Sequence, residues 1–556
     1  MEGLYGLTVD VSRYIYLAVS LYMIIRIAVA MFFKKTTDPV RGKLIDLATG
    51  SSVSLYDREC SIGRNKKCDV ILNYNTISRY HAVLAYRNHG FVLFDTHSKS
   101  GIKVNGEKIN KKRELHSGDV LSLGGVDYYL DEEKYRYIKD KSPRAGRPPY
   151  ILMLVLLMIV NLLSLIINSF AGGEFLPLSA LVYAGNILLI WLYYLFASTV
   201  LKIHNFELEM IAFLLASIGL AVTGSIYPES VYKQFAAIFI GVVGYCALLA
   251  VLRFVEAVKV LRWIGAFAAV ALLGATLLLA NENNGALNWV NIGGISIQPS
   301  EFVKVIFVFV SAVTLERLQS VQSLTAYILF AAACVGELFL MRDFGAALIF
   351  FFTFIITAFM RSGDVRTIML ICFVAALGAG IIILFKPYVA SRFETYTHIW
   401  EYPDEGGYQQ TRTLIYTASG GLFGLGLGNG CLRDIFAAAE DLVFGVVSEE
   451  LGIIMSFAVV AANAVVTVFA VLCGQKSKSV FYTISAVAAS SMLLFQAMLN
   501  VFGVTDILPM TGVTLPFISK GGSSIICCFC LYAFIKSADI RTYASFKPGM
   551  REAKKQ

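Results

Sequence analysis

The chain has 556 residues, of which 57% are hydrophobic and only 15% charged, with a mean hydropathy of +0.67 and a formal net charge of +8. Soluble domains carry about 25% charged residues, so the composition excludes an ordinary globular enzyme and gives no sign of a nucleic-acid partner; it predicts a polytopic α-helical membrane protein. The ten cysteines show no metal-ligand spacing. Cys527, Cys528 and Cys530 fall in an apolar run and read as small core filler, and Cys60 and Cys68 read as free thiols of a cytosolic segment.

The first apolar run, Val11 to Phe33, is followed by Lys34 and Lys35. Positive charge after a long apolar core, rather than before a short one, predicts a retained transmembrane helix over residues 1–35 with its N-terminus outside. Next comes a stretch of different texture. DVILN, HAVLAYRN, GFVLFD, GIKVNG and DVLSLGG alternate apolar and polar residues between Asn-Gly, His-Gly and Ser-Gly turns, which predicts an inserted all-β sandwich. A basic linker over 132–149, containing KDKSPRAGRPP, leads into twelve further apolar runs, each near the ~20 residues of a spanning helix. They centre near Met158, Leu189, Phe213, Phe239, Val270, Phe309, Phe330, Phe354, Ala376, Val460, Met492 and Leu531. The expectation is thirteen helices.

Basic residues set the topology. The loops carrying Arg253, Lys259 and Arg262, Arg361 and Arg366, and Lys476 and Lys478 fall on one side, with the β domain and the basic tail 541–556. That side is predicted to be cytoplasmic. The loop Asn281 to Ser300 lacks Lys and Arg and falls outside, as does the long loop 387–450, whose length suggests that it works.

Within the soluble segment, Gly63-Arg64, Ser78-Arg79-x-His81 and Asn105-Gly106 together resemble a forkhead-associated (FHA) domain over residues 45–131. The resemblance implies a β-sandwich whose loops bind a phosphothreonine peptide, with Arg64, Ser78, Arg79, Ser100 and Asn105 as phosphopeptide-binding residues and His81 bracing the loops. Arg64 is suited to charge-assisted, bidentate bonds to phosphate. Ser100-Gly101-Ile102 departs from the family's Asn-Gly-Thr.

In the membrane part, QPSEFVKV (residues 298–305), the stretch from Asn500 to Ser524 with its LP-x-TG-x-x-LPF-x-S-x-GGSS pattern, and GYQQTRTLIYTASGGLFGLGLGNG with the following EDLVFGVVSEELG resemble the SEDS family, the FtsW, RodA and SpoVE proteins of bacterial cell-wall synthesis. The resemblance covers residues 206–540, leaving two accessory helices in 150–205. It implies polymerisation of lipid II beside a class B penicillin-binding transpeptidase, with Asp441 as general base at the outer membrane face. The chemistry needs a base for a sugar hydroxyl and positive charge for a departing diphosphate. Candidate substrate-binding residues are Lys304, Arg342, Arg392, Glu301, Ser523 and Ser524. Glu301 and Lys304 can pair at i, i+3; ionised groups at membrane depth are functional candidates or internal salt bridges. Backbone NH groups beside Ser523 and Ser524 can receive phosphate oxygens, or the glycines there and in GGLFGLGLGNG serve close packing.

Glu440 reads as a solvated loop charge. Glu449 and Glu450 read as acidic caps where the next helix begins, or as substrate or metal contacts. Gln496 and Asn500, at i, i+4, read as ties between helices. Asn288, Arg342, Arg412 and Lys520 depart from the family pattern. No protein metal ligands are assigned; Mg²⁺ or Mn²⁺ is the expected cofactor, if the diphosphate needs one. The reading is an inverting glycosyltransferase of the bacterial plasma membrane, controlled through a phosphothreonine-containing protein. A lipid II transporter and a non-catalytic phosphopeptide-binding scaffold are the alternatives.

Overall fold

The computed structural model describes residues 2–32, 40–56, 60–64, 68, 70–87, 90–96, 98–109, 112–131, 149–170, 175–201, 203, 205–253, 259–280, 286–292, 295–316, 321–362, 365–366, 369–373, 396–477 and 479–539. The chain divides into a β unit and a helical unit.

The β unit is a pair of sheets. One has strand order β2-β1-β11-β10-β7-β8 and the other β4-β3-β5-β6-β9. Their strands are β1 (Val40–Asp46), β2 (Ser52–Tyr56), β3 (Cys60–Gly63), β4 (Val70–Ile71), β5 (Ala82–Arg87), β6 (Gly90–Asp95), β7 (Ile102–Val104), β8 (Glu107–Lys108), β9 (Lys112–Leu115), β10 (Val120–Leu123) and β11 (Val126–Asp131). Alternation places Leu93, Ile102, Val104, Leu121, Leu123 and Leu130 in one buried core. The Asn-Gly signal works as expected. Val104 pairs with Glu107, and Asn105 and Gly106 take φ of 50° and 83°, the two positive values that a two-residue hairpin turn requires.

The helical unit contains α1 (Glu2–Phe32), α2 (Tyr150–Ser169), α3 (Pro177–Thr199), α4 (Glu207–Ile226), α5 (Val231–Leu252), α6 (Arg262–Leu279), α7 (Pro299–Glu316), α8 (Val321–Leu340), α9 (Phe344–Ser362), α10 (Tyr408–Gly420), α11 (Val443–Leu451), α12 (Ile453–Lys476), α13 (Val480–Val504) and α14 (Gly522–Ala538), with a hairpin of β12 (Val290–Ile292) and β13 (Ile295–Ile297) before α7. Each predicted apolar run carries a helix except the one centred near Ala376, which lies outside the described residues. Among the described residues, eight helices are long and apolar enough to cross a membrane.

α13 is the hub. It packs on α7, α9, α12 and α14, and Ser485, Ser490, Gln496 and Asn500 are buried along it. Polar groups in such a helix must bond within the bundle, and Gln496 and Asn500 do so as tie points. The Gln496 amide donates to the Thr514 carbonyl and the Ser524 Oγ at 3.1 and 3.2 Å, and Asn500 donates to the carbonyls of Asp441 and Val513 at 2.8 and 2.7 Å.

The long loop is built rather than loose in its described part. It holds α10, a 3₁₀ turn at Leu432–Asp434, and α11. Glycines allow its close approaches. A Cβ on Gly420 would lie 2.5 Å from the Ser448 carbonyl oxygen, and one on Gly424 (φ 82°) 2.3 Å from that of Glu450.

Candidate functional site

One cavity of about 310 Å³ opens where the β12–β13 hairpin, the long loop and the segment between α13 and α14 converge. All three therefore lie at the same end of the helix bundle. Asp441, Glu440, Lys304, Glu301, Lys520 and Asp343 supply its charged lining, with Ser523 and Ser524 beside them.

Local structure explains each placement. Pro299 opens α7, where a missing NH costs nothing. Glu301 and Lys304 then share one face, with the ammonium 2.7 Å from Glu301 Oε1 and 2.9 Å from Gln496 Oε1. Lys304 is 1% exposed, so these two partners, not water, carry its charge. Asp343 caps α9 by accepting the Ala346 NH at 3.1 Å with Oδ1. Its Oδ2 accepts the amides of Asn288 (3.2 Å) and Gln298 (3.1 Å). Ser523 and Ser524 form the first turn of α14, and Thr514 bonds Ser524 at 2.8 Å. Asp441 is part-buried at the end of a tight turn, its NH bonded to the Ala437 carbonyl at 2.9 Å and its own carbonyl held by Asn500.

Some sequence-predicted residues do not gather here. Arg342 sits at φ 60° in the turn between α8 and α9, exposed and off the cavity lining, while its neighbour Asp343 faces in. Arg392 lies outside the described residues. Arg412 reaches Asp404 at 3.3 Å on the surface.

Two readings of the acidic stretch are corrected. Glu440 is not a solvated charge: it lines the cavity and pairs with the Lys520 ammonium at 2.9 Å. Glu449 and Glu450 do not open a helix. Gly452, at φ 91°, breaks the chain, so both residues sit at the C-terminal end of α11, where the helix dipole opposes negative charge. Both are buried and off the cavity lining. Glu449 accepts the backbone NH groups of Cys431 and Leu432 at 2.8 and 2.9 Å, pinning the long loop. Glu450 accepts the Ser225 hydroxyl at 2.9 Å, and burial pushes its carboxyl up to about 8.

In the β unit, Arg64 and Arg79 are exposed on adjacent loops, and Gly63 lets those loops touch: a Cβ there would meet the Arg79 carbonyl at 2.3 Å. Arg64 Nη1 donates to Asn75 at 3.1 Å, and Ser78 Oγ accepts the Lys99 NH at 3.0 Å. His81 is buried. Its Nδ1 accepts the Ser78 NH at 3.1 Å and its Nε2 lies 3.3 Å from the Gly101 carbonyl, as a brace should; burial holds its pKa below the usual range. Ser100 Oγ donates to the Thr76 carbonyl at 2.9 Å. Asn105 stands in the turn between β7 and β8. Both ends of its amide are engaged within the domain, donating to Asp119 Oδ1 at 2.8 Å and accepting the Val120 NH at 2.9 Å.

Residues 195–544 match the family model FTSW_RODA_SPOVE, described as "Cell cycle protein". The chain belongs to this family. It is 32% identical over 284 residues to the probable peptidoglycan glycosyltransferase FtsW of Buchnera aphidicola, covering 49% of this chain and 71% of that one. It is 30% identical over 249 residues to stage V sporulation protein E of Bacillus subtilis, covering 44% and 68%. Its fold matches a chain of a solved peptidoglycan synthase complex with a TM-score of 0.52 at 23% identity, over 61% of this chain and 97% of that one. Residues 60–124 match the FHA domain.

For a member of the FtsW/RodA/SpoVE family, the charges that sequence reasoning passed over are Glu440 and Lys520 as a pair, and Asp343 as a cavity group held by Asn288 and Gln298. The departures at Lys520 and Asn288 were the signal. Lys520 also lies 3.9 Å over the Tyr227 ring. A built site for the expected Mg²⁺ or Mn²⁺ is not seen among the described residues. Among the described residues no three His, Cys, Asp or Glu side chains gather to hold one, and Glu301, Glu440 and Asp343 are already taken by lysines or amides.

Proposed function

We propose that this chain is a peptidoglycan glycosyltransferase that polymerises lipid II, with Asp441 as its general base. The observation that carries the reading is the cavity: an aspartate on a tight turn faces the same space as Lys304, Lys520 and the first turn of α14. In the reaction, Asp441 takes the proton of the acceptor N-acetylglucosamine 4-hydroxyl. The freed oxygen attacks C1 of the donor N-acetylmuramic acid from the face opposite the diphosphate. The C1–O bond breaks, configuration inverts, and undecaprenyl diphosphate departs with the bonding pair. A diphosphate is a good leaving group, so one carboxylate suffices and a second acid is not needed. Ser523, Ser524 and the α14 NH groups beside them can donate hydrogen bonds to the phosphate oxygens. Lys304, held by Glu301, and Lys520, held by Glu440, are the cations that line the cavity, and the role assigned to Arg342 passes to them. No step is assigned to a metal.

The cavity belongs to the outer leaflet in this reading, with the N-terminus outside, and the FHA domain and the C-terminus in the cytosol. Described residues of the Lys- and Arg-free loop, Asn288, Trp289 and Gln298, share the cavity with Phe436, Ala437, Glu440 and Asp441 of the long loop, which supports it. A class B penicillin-binding transpeptidase would cross-link the product. Arg64, Ser78 and Arg79 would bind a phosphothreonine on a partner's cytoplasmic segment, with Ser100 setting sequence preference. The relative from Buchnera is named for glycosyl transfer, which favours the enzyme over a lipid II transporter or a scaffold.

The test is incubation of the purified chain, with its transpeptidase partner, on labelled lipid II. Growing glycan strands are expected. Flipping of lipid II without polymer would support transport, and neither activity would support a scaffold.

A further inference from the structure

α1 lies outside the region matched by the family model, yet it touches the loop that carries Asp441. Arg13 donates from Nη1 to the Gly424 carbonyl. The Tyr14 and Phe423 rings lie 5.5 Å apart. A Cβ on Gly426 would sit 2.5 Å from Val9 Cγ1, so a side chain there would press on α1.

From Gly424 a series of hydrogen bonds, linked through the chain, leads to the cavity. The Leu425 and Gly426 NH groups donate to the carbonyls of Glu449 and Glu450 at 2.9 and 2.8 Å. The Glu449 carboxylate holds the Cys431 and Leu432 NH groups. From Leu432 the chain turns through Ile435 and Ala438 (3.2 Å) and then Ala437 and Asp441 (2.9 Å). Phe436 and Ala437, inside that turn, line the cavity with Asp441.

We infer that Arg13 is a positioning residue for the transfer reaction. It makes α1 a strap across the glycine-rich loop, fixing the 424–441 segment and so the place of the Asp441 carboxylate in the cavity. The role of Asp441 rests on the function proposed above; the strap itself does not. A strap of this kind acts on turnover rather than on capture of the lipid, because α1 lines no part of the cavity.

The test uses the full chain in lipid nanodiscs, as wild type, Arg13→Met and Asp10→Asn. Arg13→Met keeps the aliphatic stem and removes the donor. Asp10→Asn removes only the ion pair between neighbouring turns of α1, at 3.6 Å. Backbone hydrogen exchange and lipid II polymerisation are both read. For Arg13→Met, exchange in 424–441 is expected to speed up about tenfold, the scale of one lost hydrogen bond. The helices α12 and α13 should keep their wild-type protection. kcat should fall about tenfold while KM for lipid II stays within about twofold. Asp10→Asn should match wild type in both. Unchanged exchange in Arg13→Met, or the same change in Asp10→Asn, would overturn the inference. A wild type that makes no glycan would count against the proposed function, and the exchange result would still decide the strap.

Discussion

At the scale of single residues, both lysines of the cavity are held by carboxylates. Lys304 and Glu301 are both buried, and among the described residues Gln496 joins them. Lys304→Met leaves the Glu301 carboxylate buried without its cation. Loss of one member of a buried pair costs about 3–5 kcal/mol, so thermal unfolding in detergent should fall clearly, and Lys304→Met combined with Glu301→Gln should recover much of the loss. Glu450 makes a pH prediction. Its folded carboxyl keeps its proton up to about pH 8, raised by burial, whereas an unfolded one ionises near ~4.3. The protonated form's contribution is complete below the unfolded value and is lost as pH rises through the folded one. Glu450→Gln should therefore gain in unfolding temperature over wild type from pH 6 to pH 9, and an equal difference at both ends would contradict the burial argument.

At the scale of elements, the glycine-rich loop and α11 form one small structure. Gly452 has φ 91°, and a Cβ there would lie 2.3 Å from the Leu422 carbonyl. Gly452→Ala combines strain with a backbone clash, worth ~2 kcal/mol or more. A lower unfolding temperature and reduced polymerisation are expected together. These elements also show what the sequence could and could not reveal. Apolar runs marked the helices, and Asn105-Gly106 marked a hairpin, because both signals are local. The end of α11 was missed because EELG reads equally well as the start or the end of a helix until the φ of Gly452 is known. Glu449 bonds residues 17 and 18 positions away, and Lys520 pairs across 80 positions. No periodicity carries such pairings. Asp441 and Ser523 could be named as site candidates only through ordered motifs, whereas Arg342, chosen for its charge at a helix end, turned outward beside the Asp343 that faces the cavity.

At the scale of the whole molecule, a membrane unit of the FtsW/RodA/SpoVE family is joined in one chain to an FHA domain. The proposed division of labour is separable. Arg64→Ala in the full chain should weaken binding of a phosphothreonine peptide by about tenfold or more, since a charge-assisted contact to phosphate is lost. Polymerisation of lipid II alone should stay unchanged, because Arg64 lies in the β unit and the cavity does not. The central claim concerns the cavity carboxylate. The most direct measurement is the initial rate of glycan formation by Asp441→Asn against wild type, with lipid II binding measured on the same preparations. Asparagine keeps the shape and removes the base, so the rate should fall about 10²–10⁴-fold with binding retained. A variant that polymerises at the wild-type rate would contradict the account.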